Sequence, residues 1–203
     1  FVGVESALPE ILHNINKNIK TNEVIKLAYK CKKYGITSIF SFFIGSPILR
    51  SDPDYKSIKK ELYSNFHLID RLMEIDNNNA FCLGIYGPYP GNPLFTTSLK
   101  KGFENPQCLE SWADIDLLNG KLPWIPKKYV NLIEQLSVYY TPLLSGQFKR
   151  TISHYKFKIV YNTIHSLLHR IALFRWRHKF FIFPIEWYVY KLYTKIKFNF
   201  ILS

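Results

Sequence analysis

Three short strings in this chain carry residue types that bind small molecules: Glu5-Ser6, Gly45-Ser46-Pro47 and Tyr86-Gly87-Pro88-Tyr89-Pro90-Gly91. Each directly follows an apolar run. A carboxylate and a hydroxyl, as at Glu5 and Ser6, exchange hydrogen bonds with the hydroxyls or amine of a ligand. A glycine such as Gly45 lets a ligand approach the backbone, and rings such as Phe43 and Tyr86 can pack on a purine. Each string also has a plain structural account. A strand-end carboxylate is commonly solvated or paired with the next helix N-terminus, Gly45-Ser46-Pro47 reads equally as a turn, and the Pro/Gly-rich string as a rigid loop. The functional account needs all three strings to act together.

Other chemistries find less support. Of His13, His67, His154, His165, His169 and His178, only His165 and His169 share a helical face at i, i+4, with no carboxylate on that stretch, so no zinc site is indicated. Cys31, Cys82 and Cys108 are an odd number at wide spacings. They write neither a disulfide framework nor a CxxC metal site, and they point to a reducing, cytoplasmic setting. There is no Walker A lysine motif, no GxGxxG after a strand and no GxSxG elbow, so nucleotide kinases and hydrolases lose most of their support. No run reaches the roughly 18 apolar residues of a membrane-spanning helix, and nothing near Phe1 resembles a signal peptide.

The elements that must position these residues are legible from periodicity. Phe1 to Val4 reads as a strand, followed by a helix with Pro9 in its first turn, where a missing N–H costs nothing. From Thr21 to Tyr34 the apolar positions Val24, Ile25, Leu27, Ala28 and Cys31 recur at helical spacing, and Gly35 is a stop. Ile36 to Ile44 is a β-branched and aromatic strand. Asp54 to Ile75 is a helix through Ile58, Leu62, Phe66, Ile69 and Leu72, broken by Asn77-Asn78-Asn79, and Ala80 to Tyr86 is a third strand. Strands separated by crossovers of helical length form parallel βαβ units. Their continuous apolar character fits burial on both faces, and ligands in such sheets sit at the carboxyl ends of the strands. Asn92 to Pro126 is irregular with short helices that cover one end of the sheet. A helix follows from Lys127 to Tyr140, with Pro142 and Gly146 as a boundary. The organisation expected is therefore 1–95, 96–146 and 147–203.

Charge divides the chain more sharply than periodicity does. Residues 1–120 hold thirteen Lys/Arg and thirteen Asp/Glu, whereas 121–203 hold fourteen basic residues against Glu134 and Glu186 alone, so the whole net charge of +12 lies at the C-terminal end. This excludes a uniformly basic, ribosomal-type protein. Within 147–203, two helices separated near Pro184 mix Arg170, Arg175, Arg177 and Lys179 with Phe, Trp and Tyr. Such a mixture suits the headgroup region of a membrane. It also suits docking on further domains and, less well, a nucleic-acid groove, because the aromatics outnumber what phosphate contacts need.

Taken in order, the motifs resemble those of radical S-adenosylmethionine enzymes. Val2-Gly3-Val4-Glu5-Ser6 with the following Pro-Glu-Ile-Leu looks like that family's fourth strand with its G-x-E-S sequence. Ile39 to Pro47 is similar to the fifth strand and its Gly-x-Pro ending, and Tyr86 to Phe95 resembles the PYPGTPL sixth-strand loop. Leu68-Ile69-Asp70-Arg71-Leu72 also matches. Ser111-Trp112-Ala113-Asp114 points toward the branch with an N-terminal cobalamin-binding domain, which includes anaerobic Mg-protoporphyrin ester cyclases and related methyltransferases. The likeness covers residues 1 to about 140, and the basic aromatic tail looks like that branch's C-terminal extension.

The resemblance implies an α/β fold: the second half of a partial (β/α)6 TIM-like barrel of parallel strands, followed by a helical basic extension. It implies a 4Fe-4S cluster that cleaves S-adenosylmethionine to a 5′-deoxyadenosyl radical, with cobalamin, for radical methylation, cyclisation or rearrangement. The cluster's CxxxCxxC loop and the cobalamin domain are expected ahead of Phe1, where the chain opens directly inside a strand. The chain alone is expected to bind no iron and to cleave no S-adenosylmethionine. By family position the cofactor-binding residues are Glu5, Ser6, Ser41, Phe43, Gly45 and Tyr86. The family's fifth strand often carries a carboxylate three residues after its glycine, where this chain has Ile48. A small-molecule or lipid-like substrate above Tyr86, Tyr89 and Trp112 and a reductase or ferredoxin-type electron donor complete the expectation. The competing class is a non-catalytic α/β binding module with a basic helical anchor.

Overall fold

The computed structural model describes residues 1–48, 55–113, 122–145 and 158–201. Asp54, Asp114, Gly146 and the segment 147–157, on which sequence expectations were placed, lie outside the described residues. The chain is an α/β protein. It opens with β1 (Val2–Glu5), α1 (Pro9–Asn14), α2 (Thr21–Lys33), β2 (Ile39–Ile44), α3 (Lys56–Ile75) and β3 (Ala80–Ile85). The strands form one parallel sheet in the order β1-β2-β3.

Local chemistry accounts for the boundaries. Pro9 opens α1 where its missing N–H is not needed. The Glu23 carboxylate accepts the Lys20 N–H ahead of α2. At the other end Gly35, with φ 67°, lets the Ile36 N–H reach Cys31 O at 2.9 Å and its own N–H reach Lys32 O at 3.1 Å. That is a Schellman close. It takes Ile36 into the helix end, and β2 begins at Ile39 rather than at Ile36 as the β-branched and aromatic run suggested.

The sheet has two unlike faces. Phe40, Phe42 and Ile44 of β2 and Phe81 and Leu83 of β3 are buried together with Ile58, Leu62, Phe66, Ile69 and Leu72 of α3 in one core. The opposite face carries Gly3, Ser41 and Cys82 in one row and Phe43 beside Gly84 in the next. Cys82 is exposed, and Ser41, Phe43 and Gly84 are half-buried. The expectation of burial on both faces is corrected here: helices cover one face, and the other, lined by Gly3, Ser41, Cys82 and Gly84 together with the Phe43 ring, is left partly open.

Beyond β3 come α4 (Phe95–Lys100), α5 (Leu109–Ala113) and α6 (Lys127–Gln135), which runs through a π-helical stretch, Leu136–Tyr140, into α7 (Thr141–Leu144). The helix therefore does not stop before Pro142. A proline lacks its own N–H and crowds the carbonyl four residues earlier, and a widened turn relieves that. Within the widened stretch Ser137 donates to Leu83 O on the free edge of β3, covering a strand edge that would otherwise be open.

Two longer helices, α8 (Lys158–His178) and α9 (Ile185–Ile201), complete the described chain, divided near Pro184 as expected. They lie against the α/β half. Trp176, 1% exposed, inserts beside Phe66 with ring centroids 4.9 Å apart and donates its indole N–H to Asp70 at 2.5 Å. Lys179 pairs with the same carboxylate at 2.9 Å. Trp187 is buried near Tyr139, and Tyr140 donates to Glu186 at 2.9 Å. Among the described residues no helix is long and apolar enough to cross a membrane.

Candidate functional site

The partly open sheet face gathers four of the residues that sequence singled out. Gly3 is bare for a reason: a Cβ there would lie 2.5 Å from Glu5 Oε1 and 3.0 Å from Lys17 Nζ. The Glu5–Lys17 ion pair, 2.7 Å long, thus occupies the side-chain space of Gly3 on the face that carries Ser41. A register shift between Gly3 and Glu5, with Glu5 at φ 68°, turns the carboxylate onto that face. An L-residue held in the left-handed region costs on the order of 1–2 kcal/mol, so the ion pair and its surroundings must offset it. Both side chains remain about a third exposed, at 31% and 30%.

Further along, Phe43 meets Tyr86 edge-on, with ring centroids 5.5 Å apart. Tyr86 is buried and donates its hydroxyl to Asn92 Oδ1 at 3.0 Å; the same oxygen accepts the Leu94 N–H at 2.9 Å. Burial raises the Tyr86 phenol, with the Ser98 hydroxyl pulling the other way, so it stays a donor at neutral pH. Beside this pair Gly84 has open space: a Cβ there would meet nothing closer than Phe42 O at 3.9 Å.

Behind the strand ends lies a second, buried polar layer. Ser6 Oγ accepts the Leu8 N–H at 3.2 Å and shapes the turn into α1. Asn65 of α3 is fully buried and joins two strand ends: its Oδ1 accepts the Ala7 N–H at 2.7 Å, and its amide donates to Phe43 O at 3.3 Å. One turn earlier the buried Glu61 accepts the Gly45 N–H at 2.7 Å. Burial pushes its carboxyl up to about 8, against the opposite pull of the Gly45 and Ser46 amides. Glu61 Oε1 and Ser46 Oγ are both buried without a hydrogen-bond partner.

A cover closes over these ends. Trp124 donates to Gly45 O at 2.9 Å, and a Cβ on Gly45, which has φ 90°, would run into the Ile125 side chain. Trp112 stacks obliquely with Tyr89, Phe95 and Phe103, its ring centroids 5.8, 6.4 and 6.2 Å from theirs.

Glu5, Ser41, Phe43 and Tyr86 are therefore brought to one face, whereas Ser6 and Gly45 lie in the turns behind it, with Ile125 against Gly45. Lys17, Glu61, Asn65, Asn92 and Trp124 were missed by sequence reasoning. Two of them had a signal: Glu61 and Asn65 stand at i, i+4 on the apolar stripe of α3, where a polar residue must be buried with a partner. Among the described residues no group of three or more His, Cys, Asp or Glu side chains is placed to hold a metal ion. Cys31, Cys82 and Cys108 are all free. No family model matches the chain, and no curated protein sequence matches it.

Proposed function

We propose that this chain is the cofactor-facing part of a cobalamin-type radical S-adenosylmethionine enzyme, forming the second half of a partial (β/α)6 barrel. One observation carries the reading: on one half-open face of a parallel sheet, a mid-strand hydroxyl lies between an ion pair at the end of β1 and, toward the carboxyl ends of β2 and β3, an edge-on aromatic pair and an uncrowded glycine. That set suits a ligand with a flat ring at one end and an amine and carboxylate at the other. The free edge of β1 is where further barrel strands would continue the sheet.

When bound, the cluster of this family cleaves S-adenosylmethionine reductively and supplies a radical. The described cysteines do not fit a cluster, so in this reading its ligands and the cobalamin-binding domain come from other parts of the protein. The chain's own residues bind and orient. Phe43 packs against the adenine, Ser41 meets the ribose, and the Glu5–Lys17 pair meets the charged amino-acid end. Gly84 leaves the ring its room. Ser6 and Gly45 act one step back, by shaping the turns. The Trp112 cluster limits water above a small-molecule or lipid-like substrate, and electrons come from a reductase or ferredoxin-type donor.

Gly84→Val in the full-length protein tests this. Its backbone tolerates a Cβ, so the fold survives, but the added methyls occupy the proposed adenine space. We expect S-adenosylmethionine to bind roughly ten- to a hundredfold more weakly, the cost of overpacking by about 1–3 kcal/mol, with an unchanged melting temperature. Unchanged binding would overturn the assignment of this face. An intact reading frame with no CxxxCxxC motif ahead of Phe1 would overturn the enzyme class.

A further inference from the structure

The turn between α8 and α9 reverses the usual arrangement of a protein surface. Phe181 points inward, against Phe66 and Tyr140. Its neighbours point out: Ile182 is 62% exposed, Phe183 80% and Ile185 71%. The exposed apolar surface continues along one side of α9 through Tyr188, Val189 and Leu192, which follow Ile185 at helical spacing. Trp187 takes the inner side. Isolated apolar side chains are ordinary on surfaces, but a contiguous run of this kind marks an interaction site.

The backbone of the turn is prepared for a medium without water. Arg175 donates to Phe180 O at 3.2 Å, to Ile182 O at 3.1 Å and to Phe183 O at 3.0 Å. The same guanidinium pairs with Glu186. Phe180 O and Ile182 O are thereby capped from within, Phe183 O is capped both by Arg175 and by the Ile185 N–H at 2.9 Å, and the capping charge is itself neutralised. In water such capping is unnecessary. In hydrocarbon an uncapped carbonyl is expensive.

Charge identifies the occupant. Glu186 is the only carboxylate side chain after Glu134, and Arg175 and Tyr140 engage it. Arg170, Arg177 and Lys195 stand exposed on the same two helices. Asp70 and Glu134 already pair with Lys179 and Lys191 of the helix pair. The surface that remains, apolar at its tip, aromatic along its flank and cationic at Arg177 and further along both helices, complements an anionic bilayer. We propose that the α8–α9 turn is a wedge, with Phe183 at its tip, that inserts into the headgroup and upper acyl region of a membrane rich in anionic lipid. The wedge does not depend on the cofactor site, and neither test bears on the other.

Flotation of the full chain with vesicles of phosphatidylcholine and phosphatidylserine, against phosphatidylcholine alone, tests it. The expected result is flotation with the mixed vesicles and at least about tenfold weaker partition onto the neutral ones. The double variant Phe183→Ser with Ile185→Ser, unchanged in circular dichroism, loses about tenfold or more of the partition coefficient. Phe183→Trp retains binding, and the emission it adds to that of the parent is quenched by bromine-labelled acyl chains. The wedge is overturned if the chain stays unbound, if the double variant floats like the parent, or if the emission added by Phe183→Trp is not quenched while flotation persists. Binding to a single-stranded oligonucleotide in place of vesicles also overturns it.

Discussion

In the α/β half buried polar groups lie beneath the strand ends, where Glu61 and Asn65 are fully buried with Ser46 beside them, and exposed apolar side chains such as Tyr34, Tyr63 and Leu109 stand apart along the chain. In the C-terminal helix pair the misplaced groups are apolar and outside, from Ile182 through Leu192. Both regions contribute to one core, since Trp176 and Trp187 are buried with the strands. The contrast separates two demands on a chain. A binding rim needs turns fixed by internal hydrogen bonds, which place polar groups in the interior and cost desolvation. A docking surface needs the reverse, apolar groups kept in water until a partner removes them.

The largest effect is expected where the two regions join. Trp176→Ala empties a site filled against Phe66 and removes the bond to Asp70, and should cost about 3–5 kcal/mol in urea unfolding. If the helix pair is one cooperative unit with the sheet, amide exchange in β2 accelerates along with that in α8. Exchange in β2 that is untouched would mean two separable units, and the contrast would then be between independent domains.

Next comes the buried carboxyl. With Glu61 raised from 4.5 to about 8, the native protein keeps a proton that the unfolded chain releases above about pH 4.5. Stability therefore falls as pH rises from about 4.5 to about 8 and levels off beyond. At about 1.4 kcal/mol per unit, roughly 3 kcal/mol is lost by pH 7. Glu61→Gln keeps the shape and the acceptor for Gly45 but does not titrate. It should be more stable than the parent by about that amount at pH 7 and equal to it near pH 4, as read by unfolding at the two pH values. A parent protein with no slope across this window would show that Glu61 is not a buried neutral acid.

How much of this was legible in the sequence depends on whether a signal is local. α2 and α3 were, because each is written in the period of its own side chains and in stop residues such as Gly35, and so were the strands, as short β-branched and aromatic runs, and the break at Pro184. The half-open face was not: Phe40, Phe42, Phe43 and Ile44 are all apolar, so β2 shows no alternation even though its faces differ. The cover over the strand ends was expected from the irregular stretch Asn92 to Pro126, but not its contact, since Trp124 reaches Gly45 from 79 positions away. Of the residues at the site, Phe43 and Tyr86 were visible as strand-end aromatics. Lys17 was one cation among many until Gly3 gave it room.

Asn65→Ala should have a smaller effect than either change above. It leaves the Ala7 N–H and Phe43 O unpaired where the side chain bridged them, at a cost of about 1–3 kcal/mol. Asn65→Asp separates the two links, since it retains an acceptor for Ala7 but offers Phe43 no donor. A cost below about 0.5 kcal/mol for Asn65→Ala in urea unfolding would show that the polar layer does not hold the strand ends.

The smallest effect, like that of Glu61→Gln at pH 7, is a gain in stability. Phe183 sits at φ 50° with its ring in water, so the folded chain bears left-handed strain on the order of 1–2 kcal/mol for a side chain that packs against little. Phe183→Gly relieves that strain and adds back part of it as unfolded-chain entropy, about 0.5–1 kcal/mol. The variant should unfold at slightly higher urea, a gain of up to about 1 kcal/mol, while losing its partition onto anionic vesicles. A residue whose removal leaves the protein more stable yet unable to bind is retained for binding, whereas a loss of stability at this position would return Phe183 to the core and end the contrast between the two regions.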